Sequence, residues 1–218
     1  MYKYKMLIIF LFLLTIFCNV NAYINEAPLV GKVVYLDAGH GGVDPGAYYK
    51  DIYEEDINLS ITLKLRDYLL TNGCTVYLTR DGDYDLSNPK ARLRKRSDLS
   101  NRASLIDKSN ADLYLSIHLN SSTSTAWKGA QVFYDDINKN NKDFALIFQK
   151  NFNSNLGSKR EEKEIKNLYM YKNIKNVPGL LLEVGFISNA NERQLLNKEW
   201  YQNKIVKVIT KSVIDVLL

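Results

Sequence analysis

The chain has only two cysteines and two histidines among its 218 residues. Cys18 falls inside an N-terminal stretch that reads as a leader, which leaves Cys74 alone. A single thiol cannot staple its own chain, so a disulfide framework is excluded and the fold must be held by its core. Cys74 opens an apolar run, which marks a buried, inert thiol rather than a nucleophile. No apolar run is long enough to span a bilayer: Met6 to Phe17 falls short of the ~20 residues a spanning helix needs. Internal repeats are absent, as is any composition change marking a second domain. Strong charge of one sign is lacking too. Only Arg92-Leu93-Arg94-Lys95-Arg96 is dense in cations, and it reads as a solvated helix face, so no nucleic-acid arm is indicated.

What is present suffices for one domain with a full core, since 46% of the residues are apolar and 24% charged. Lys3 and Lys5 precede the apolar run, and Val20-Asn21-Ala22 supplies a small-residue cleavage signal. Together they read as a secretory signal peptide over residues 1–22, cut after Ala22. Residues 23–31 are a short leader segment and 32–218 the folded domain. Cleavage removes two lysines and no acid, leaving 27 basic against 24 acidic residues, a net +3 instead of +5. That mild excess suits an anionic surface such as a cell wall or membrane. Membrane contact then depends on the leader being retained. Lipidation at Cys18 is disfavoured by the bulky Phe17 before it.

Apolar runs and turn residues alternate along the domain. Strands are expected at Val33–Ala38, Thr75–Thr79, Leu113–His118, Gly129–Tyr134, Leu168–Tyr171 and Gly179–Val184. Helices are expected from near Glu54 to Asn72, from about Lys90 to Lys108, near Asn141 to Leu156, and as one or two closing helices over Asn191–Leu218. Strands alternating with helices predict an α/β class: a layered domain with a central, largely parallel (mixed) twisted sheet flanked by helices.

Both histidines sit at strand ends. His40 follows Val33–Ala38 in the loop Gly39-His40-Gly41-Gly42, where glycines leave room beside it. His118 closes Asp112–Asn120. Ligand sites in open α/β sheets gather at the carboxyl ends of strands, so the pair points to one shared site. A catalytic zinc site commonly has three protein ligands plus water. With Cys74 poorly placed, the third ligand should be acidic, and Glu54-Glu55-Asp56 opens the helix directly after the His40 loop. Glu54 lies three, seven and eleven residues before Ile57, Ile61 and Leu65, on their inward stripe, whereas Glu55 shares a face with Leu59, Thr62 and Arg66. Glu54 is therefore the favoured ligand, with Glu55 left open. Acids at a helix start are also favoured by the macrodipole without any metal. Glu183 lies inside the apolar strand Gly179–Val184. A carboxylate there is costly unless paired or working, and desolvation would raise its pKa toward the range of a general base. A structural ion pair with an Arg or Lys is the alternative.

Four stretches, taken in order, carry a resemblance: Asp37-Ala38-Gly39-His40-Gly41-Gly42; Glu54 with Asn58-Leu59; Ser116-Ile117-His118-Leu119-Asn120; and Glu183-Val184-Gly185-Phe186-Ile187-Ser188-Asn189. They resemble the motifs of the zinc-dependent N-acetylmuramoyl-L-alanine amidases, over about Lys32 to the C-terminus. The resemblance implies one zinc ion held by His40, Glu54 and His118, with Glu183 as the catalytic carboxylate of domain 32–218. It implies peptidoglycan as partner, glycan strands and stem peptides alike, with the amide between N-acetylmuramic acid and L-alanine cleaved. It also implies a protein activator and action at the cell wall or the forespore intermembrane space. Glu55 stands where family members often have Lys. Residues 92–120 and 127–134 resemble more narrowly the sporulation amidases that help form muramic-δ-lactam in spore cortex.

Three rival readings compete with this one. A zinc endopeptidase of the stem peptide is the nearest enzymatic one. A wall-binding module without catalysis is opposed by the intact Glu183. A dinucleotide-binding loop at Gly39–Asp44 lacks the third glycine, where Asp44 stands, and His40 would crowd the pyrophosphate.

Overall fold

The computed structural model describes residues 5–15 and 27–218. Residues 5–15 form a helix, α1, with exposed apolar side chains such as Phe10 and Phe12. The cleavage signal Val20–Ala22 and Cys18 lie outside the described residues. Among those described, no helix is long and apolar enough to cross a membrane.

The domain is a six-stranded sheet built from β1 (Val33–Ala38), β4 (Thr75–Leu78), β5 (Leu113–Asn120), β6 (Gln131–Tyr134), β7 (Lys163–Glu164) and β8 (Gly179–Phe186). Their order is β4-β1-β5-β8-β6-β7, parallel throughout except where β6 runs against β8. Helices α2 (Glu54–Thr71), α3 (Arg94–Asp107), α4 (Asn141–Leu156), α5 (Ala190–Leu196) and α6 (Glu199–Leu217) flank it. The expected class, a layered α/β domain around a largely parallel mixed sheet, is what is found. A separate hairpin of β2 (Tyr48–Tyr49) and β3 (Ile52–Tyr53), which sequence patterning did not indicate, leads into α2.

Alternation along the strands assigns the two faces. Val34 and Leu36 of β1, with Leu113, Leu115 and Ile117 of β5, enter a large apolar core with Ile57, Ile61 and Leu65 of α2 and Val206 and Ile209 of α6. Tyr35, Tyr114 and Leu181 point the other way, into a smaller core with Ala103 and Ile106 of α3. Continuing the same parity toward the strands' carboxyl ends puts Asp37, Ser116, His118 and Glu183 on the α3 side. That is where the polar site opens.

One expected strand is corrected. Leu168–Tyr171 pairs with no strand among the described residues; it turns instead, into a 3-10 helix at Tyr171–Asn173. Lys172 N donates to Leu168 O at 3.1 Å and Ile174 N to Tyr171 O at 2.9 Å. The apolar side chains are buried as neighbours, Met170 beside Tyr171, while Leu168 is exposed. Packing against α3 thus replaced the alternate burial a strand requires. The α3 helix also begins four residues later than expected, because Lys90 N and Ala91 N turn back onto Asn88.

Candidate metal centre

Glu54 stands at the first position of α2, preceded by the β2–β3 hairpin, and its carboxylate is gripped from several sides. Oε2 accepts from Ala47 N at 2.9 Å. Oε1 accepts from Leu119 N at 3.1 Å and from Asn58 Nδ2, one turn on, at 3.3 Å. The same Oε1 lies 3.2 Å from His40 Nε2 and 3.0 Å from His118 Nδ1. The two imidazoles meet edge to face, with ring centroids 4.9 Å apart. His40, Glu54 and His118 each offer a ligand atom, all within 4.8 Å of one another. Burial alone would raise the pKa of Glu54, but hydrogen bonds from His118 and His40 hold it well below the usual carboxylate range. A fixed carboxylate and two imidazoles match the donor set of catalytic zinc sites.

The spacing argument that favoured Glu54 over Glu55 agrees with this geometry. Glu55 turns toward Asp83 and Arg80 instead, where burial and then the Asp83 charge raise its pKa to about 7.

Glycines make the convergence sterically feasible. A Cβ on Gly39 would lie 2.3 Å from His118 Cε1 and Nε2, and one on Gly46 would lie 2.7 Å from Glu54 Oε2 and 2.8 Å from His40 Cδ2. His40 itself has φ 62°, a conformation that costs a non-glycine residue about 1 kcal/mol or more. Two buried arginines hold the loop there. Arg80 donates to Ala38 O and Gly39 O at 3.0 Å each, and Arg102 to Ala38 O and His40 O at 2.7 Å each. Arg102 is anchored in turn by Asp98 and Asp37, both at 2.8 Å. Asp37 also accepts from Thr79 Oγ1 and Ser116 Oγ, and Tyr171 donates to Ser116. Burial would raise the Asp37 pKa, but Arg102 and Ser116 lower it.

Asp44 orients the other edge of His40, with Oδ2 at 3.1 Å from Nδ1. A carboxylate behind a ligand imidazole fixes its tautomer and ring plane, as in many metal sites. Against burial, Glu54 and Asp44 raise the His40 pKa. Asp44, Arg80 and Arg102 were not found by sequence reasoning. The i+4 spacing from His40 to Asp44 was the one available signal.

Glu183 lies across the β5–β8 ladder from His118 in register, and both line a cavity of ≈ 260 Å³ with His40. Its Oε2 is shut off from solvent with no hydrogen-bond partner among the described residues. The expected alternative, an ion pair with Arg or Lys, is absent among the described residues. Burial, then the charge of Glu54, raises its pKa to about 7, against the histidines. An orphaned carboxylate of that kind can exchange a proton near neutral pH. Cys74 is buried away from the site, and burial pushes its thiol up to about 11, as expected of an inert residue.

Residues 34–215 match the sequence model of a family described as N-acetylmuramoyl-L-alanine amidase. The chain is 41% identical over 191 residues to the germination-specific N-acetylmuramoyl-L-alanine amidase of Bacillus subtilis, covering 86% of this chain and 80% of that protein. Among solved structures it resembles the CwlD amidase from Clostridioides difficile in complex with the GerS lipoprotein, at TM-score 0.81 and 38% identity, covering 86% of this chain and 98% of that one. The catalytic domain of CwlV, an amidase of Bacillus (Paenibacillus) polymyxa, aligns at TM-score 0.74 and 32% identity over 85% of this chain and 98% of that one.

Proposed function

The chain belongs to the N-acetylmuramoyl-L-alanine amidase family, and from that premise we propose that it cleaves the amide joining N-acetylmuramic acid to L-alanine in peptidoglycan. The observation that carries the reading is the convergence of His40, Glu54 and His118 with Glu183 beside them.

His40, Glu54 and His118 would hold one zinc ion, which would supply Lewis acidity and an acidified water. Glu183 accepts the proton of the attacking water. As the carbon–nitrogen bond breaks and a carbon–oxygen bond forms, it returns that proton to the leaving amine of L-alanine. Burial in the apolar strand raises the Glu183 pKa above the usual carboxylate range, which suits a group that takes up a proton and then gives it back. Asp44 keeps the His40 ring in plane, and Arg80 and Arg102 keep the His40 loop in its strained conformation. The products are a glycan strand with a free lactyl carboxyl and an intact stem peptide.

The germination-specific name of the B. subtilis relative supports the spore-cortex role that the resemblance to sporulation amidases implies, with stripped muramic acid residues feeding formation of the δ-lactam. Residues 1–22 serve as a secretory signal, delivering the domain to the cell wall or the forespore intermembrane space. A protein activator is expected as well, since the C. difficile relative is seen bound to a lipoprotein. Adding such a partner should raise turnover.

Mass spectrometry of digested wall tests the reaction. Free lactyl carboxyls and intact stem peptides are expected. Fragments cut within the stem would identify an endopeptidase instead, and absence of any new product even with a lipoprotein activator supplied would leave a binding module.

A further inference from the structure

A second groove opens beside the metal centre, ≈ 670 Å³ in volume and lined by Arg92, Arg94, Lys95, Arg96, Lys172 and Tyr169. Lys95 and Tyr169, with Leu99, line both this groove and the cavity of His40, His118 and Glu183, so the two form one continuous surface. No carboxylate lines the groove. Two of its five cations are neutralised from outside: Arg94 by Asp85 at 2.7 Å and Lys95 by Asp44 at 3.1 Å. Arg92, Arg96 and Lys172 pair with no carboxylate among the described residues. Arg96 and Lys172 both lie against the Tyr169 ring, 4.8 and 5.8 Å from its centroid, so this one side chain fixes both cations at the groove.

Gathering like charges costs free energy, and three of the five are left without an acidic partner among the described residues. Sequence pattern alone predicts a solvated helix face for this cationic run. It is exposed, but it also walls a groove that leads to the reacting centre.

The proposed reaction says which anion belongs there. Once its lactyl group is joined in the amide, the muramic acid side of the substrate carries no free carboxyl. Free carboxylates occur only on the peptide side of the scissile bond. Resting on the amidase reading, we propose that this groove receives the carboxylates of the departing stem peptide, with Arg92, Arg96 and Lys172 as the residues that select them. Guanidinium groups suit that role because they meet a carboxylate with two parallel N–H donors. The enzyme then discriminates acidic stem peptides from those whose carboxylates have been converted to carboxamides.

Binding of the released peptide tests this without turnover. The zinc-loaded protein is titrated calorimetrically with a free stem tripeptide, and with the same tripeptide carrying carboxamides in place of its side carboxylates. The acidic peptide should bind about tenfold more tightly at low salt, the sum of a few partly exposed ion pairs. Raising the salt should erode the difference. The triple variant R92Q/R96Q/K172Q, altered only at exposed positions, should bind both peptides equally. Equal affinity in the wild-type protein, a preference that survives in the triple variant, or no binding of either peptide at millimolar concentration overturns the assignment. Because the readout is binding of a product, its failure is distinguishable from a failure to hydrolyse wall.

Discussion

Replacing Gly39 with alanine separates the geometry of the metal centre from the stability of the fold. The added Cβ would lie 2.3 Å from two atoms of the His118 ring, where ordinary contact begins at 3.4 Å. The ring must therefore retreat by about 1 Å, while a zinc–nitrogen bond of about 2.0–2.1 Å tolerates only ~0.2 Å. His118 cannot easily swing elsewhere, because its Nδ1 faces Glu54 Oε1 and Glu54 is itself fixed by Ala47, Leu119 and Asn58. Losing one of three ligands should weaken zinc binding by at least ~100-fold, more than removing a supporting residue does. The backbone at Gly39 is not in the left-handed region, so alanine meets the ring and not a forbidden φ. Gly31 provides the converse control: φ is 81°, but nothing lies within 4 Å of an added Cβ. Gly31→Ala should cost about 1 kcal/mol of stability and leave zinc affinity untouched. Competition against a chromophoric chelator measures zinc affinity, and scanning calorimetry measures stability. A Gly39→Ala protein that binds zinc as tightly as wild type would falsify the placement of His118 as a ligand.

Further predictions concern Glu183 and Arg102. Glu183→Gln should retain zinc by metal analysis and lose at least ~100-fold in kcat, within the range of general acid–base catalysis; near-wild-type turnover removes Glu183 from the mechanism. In metal-free protein, carbon-13 NMR of the Glu183 carboxyl should show titration at about 7, and zinc, as a nearby cation, should lower that value. Since the folded pKa is raised above the ordinary 4.5, the stability of metal-free wild type relative to Glu183→Gln should be highest below pH 4.5 and fall as pH rises through about 7. Urea titrations at pH 5 and pH 8 that show no such divergence count against a desolvated carboxyl. Arg102→Met leaves the buried Asp37 without its cation and the His40 carbonyl without its arginine donor, while Ala38 O keeps Arg80, so about 3–5 kcal/mol of stability should be lost, measured by urea unfolding.

Much of this molecule is written locally. The stripe from Glu54 through Ile57, Ile61 and Leu65 defined both the helix Glu54–Thr71 and the acid that faces inward, because a helix repeats its faces every three to four residues. Apolar runs marked β1, β5 and β8, and two scarce histidines at strand ends marked the site. Burial of an acid within an apolar run singled out Glu183. Local pattern failed at Leu168–Tyr171, an apolar stretch that reads as a strand. Met170 and Tyr171 are buried as neighbours beside α3 while Leu168 is exposed, a pattern that does not alternate and that the run by itself does not disclose.

The tertiary structure alone decided the rest, since sheet register and loop contacts join residues far apart in the chain. Register placed Glu183 opposite His118, 65 positions away, and packing left its Oε2 without a partner. Only the folded chain brings Arg80 and Arg102 to the carbonyls of the His40 loop, where two buried cations stabilise a backbone turn that is costly by itself. Asp44 shows the division most clearly. Its four-residue spacing from His40 is visible in the sequence, but only the bend of the loop, with φ 62° at His40, brings its carboxylate to the back of the imidazole.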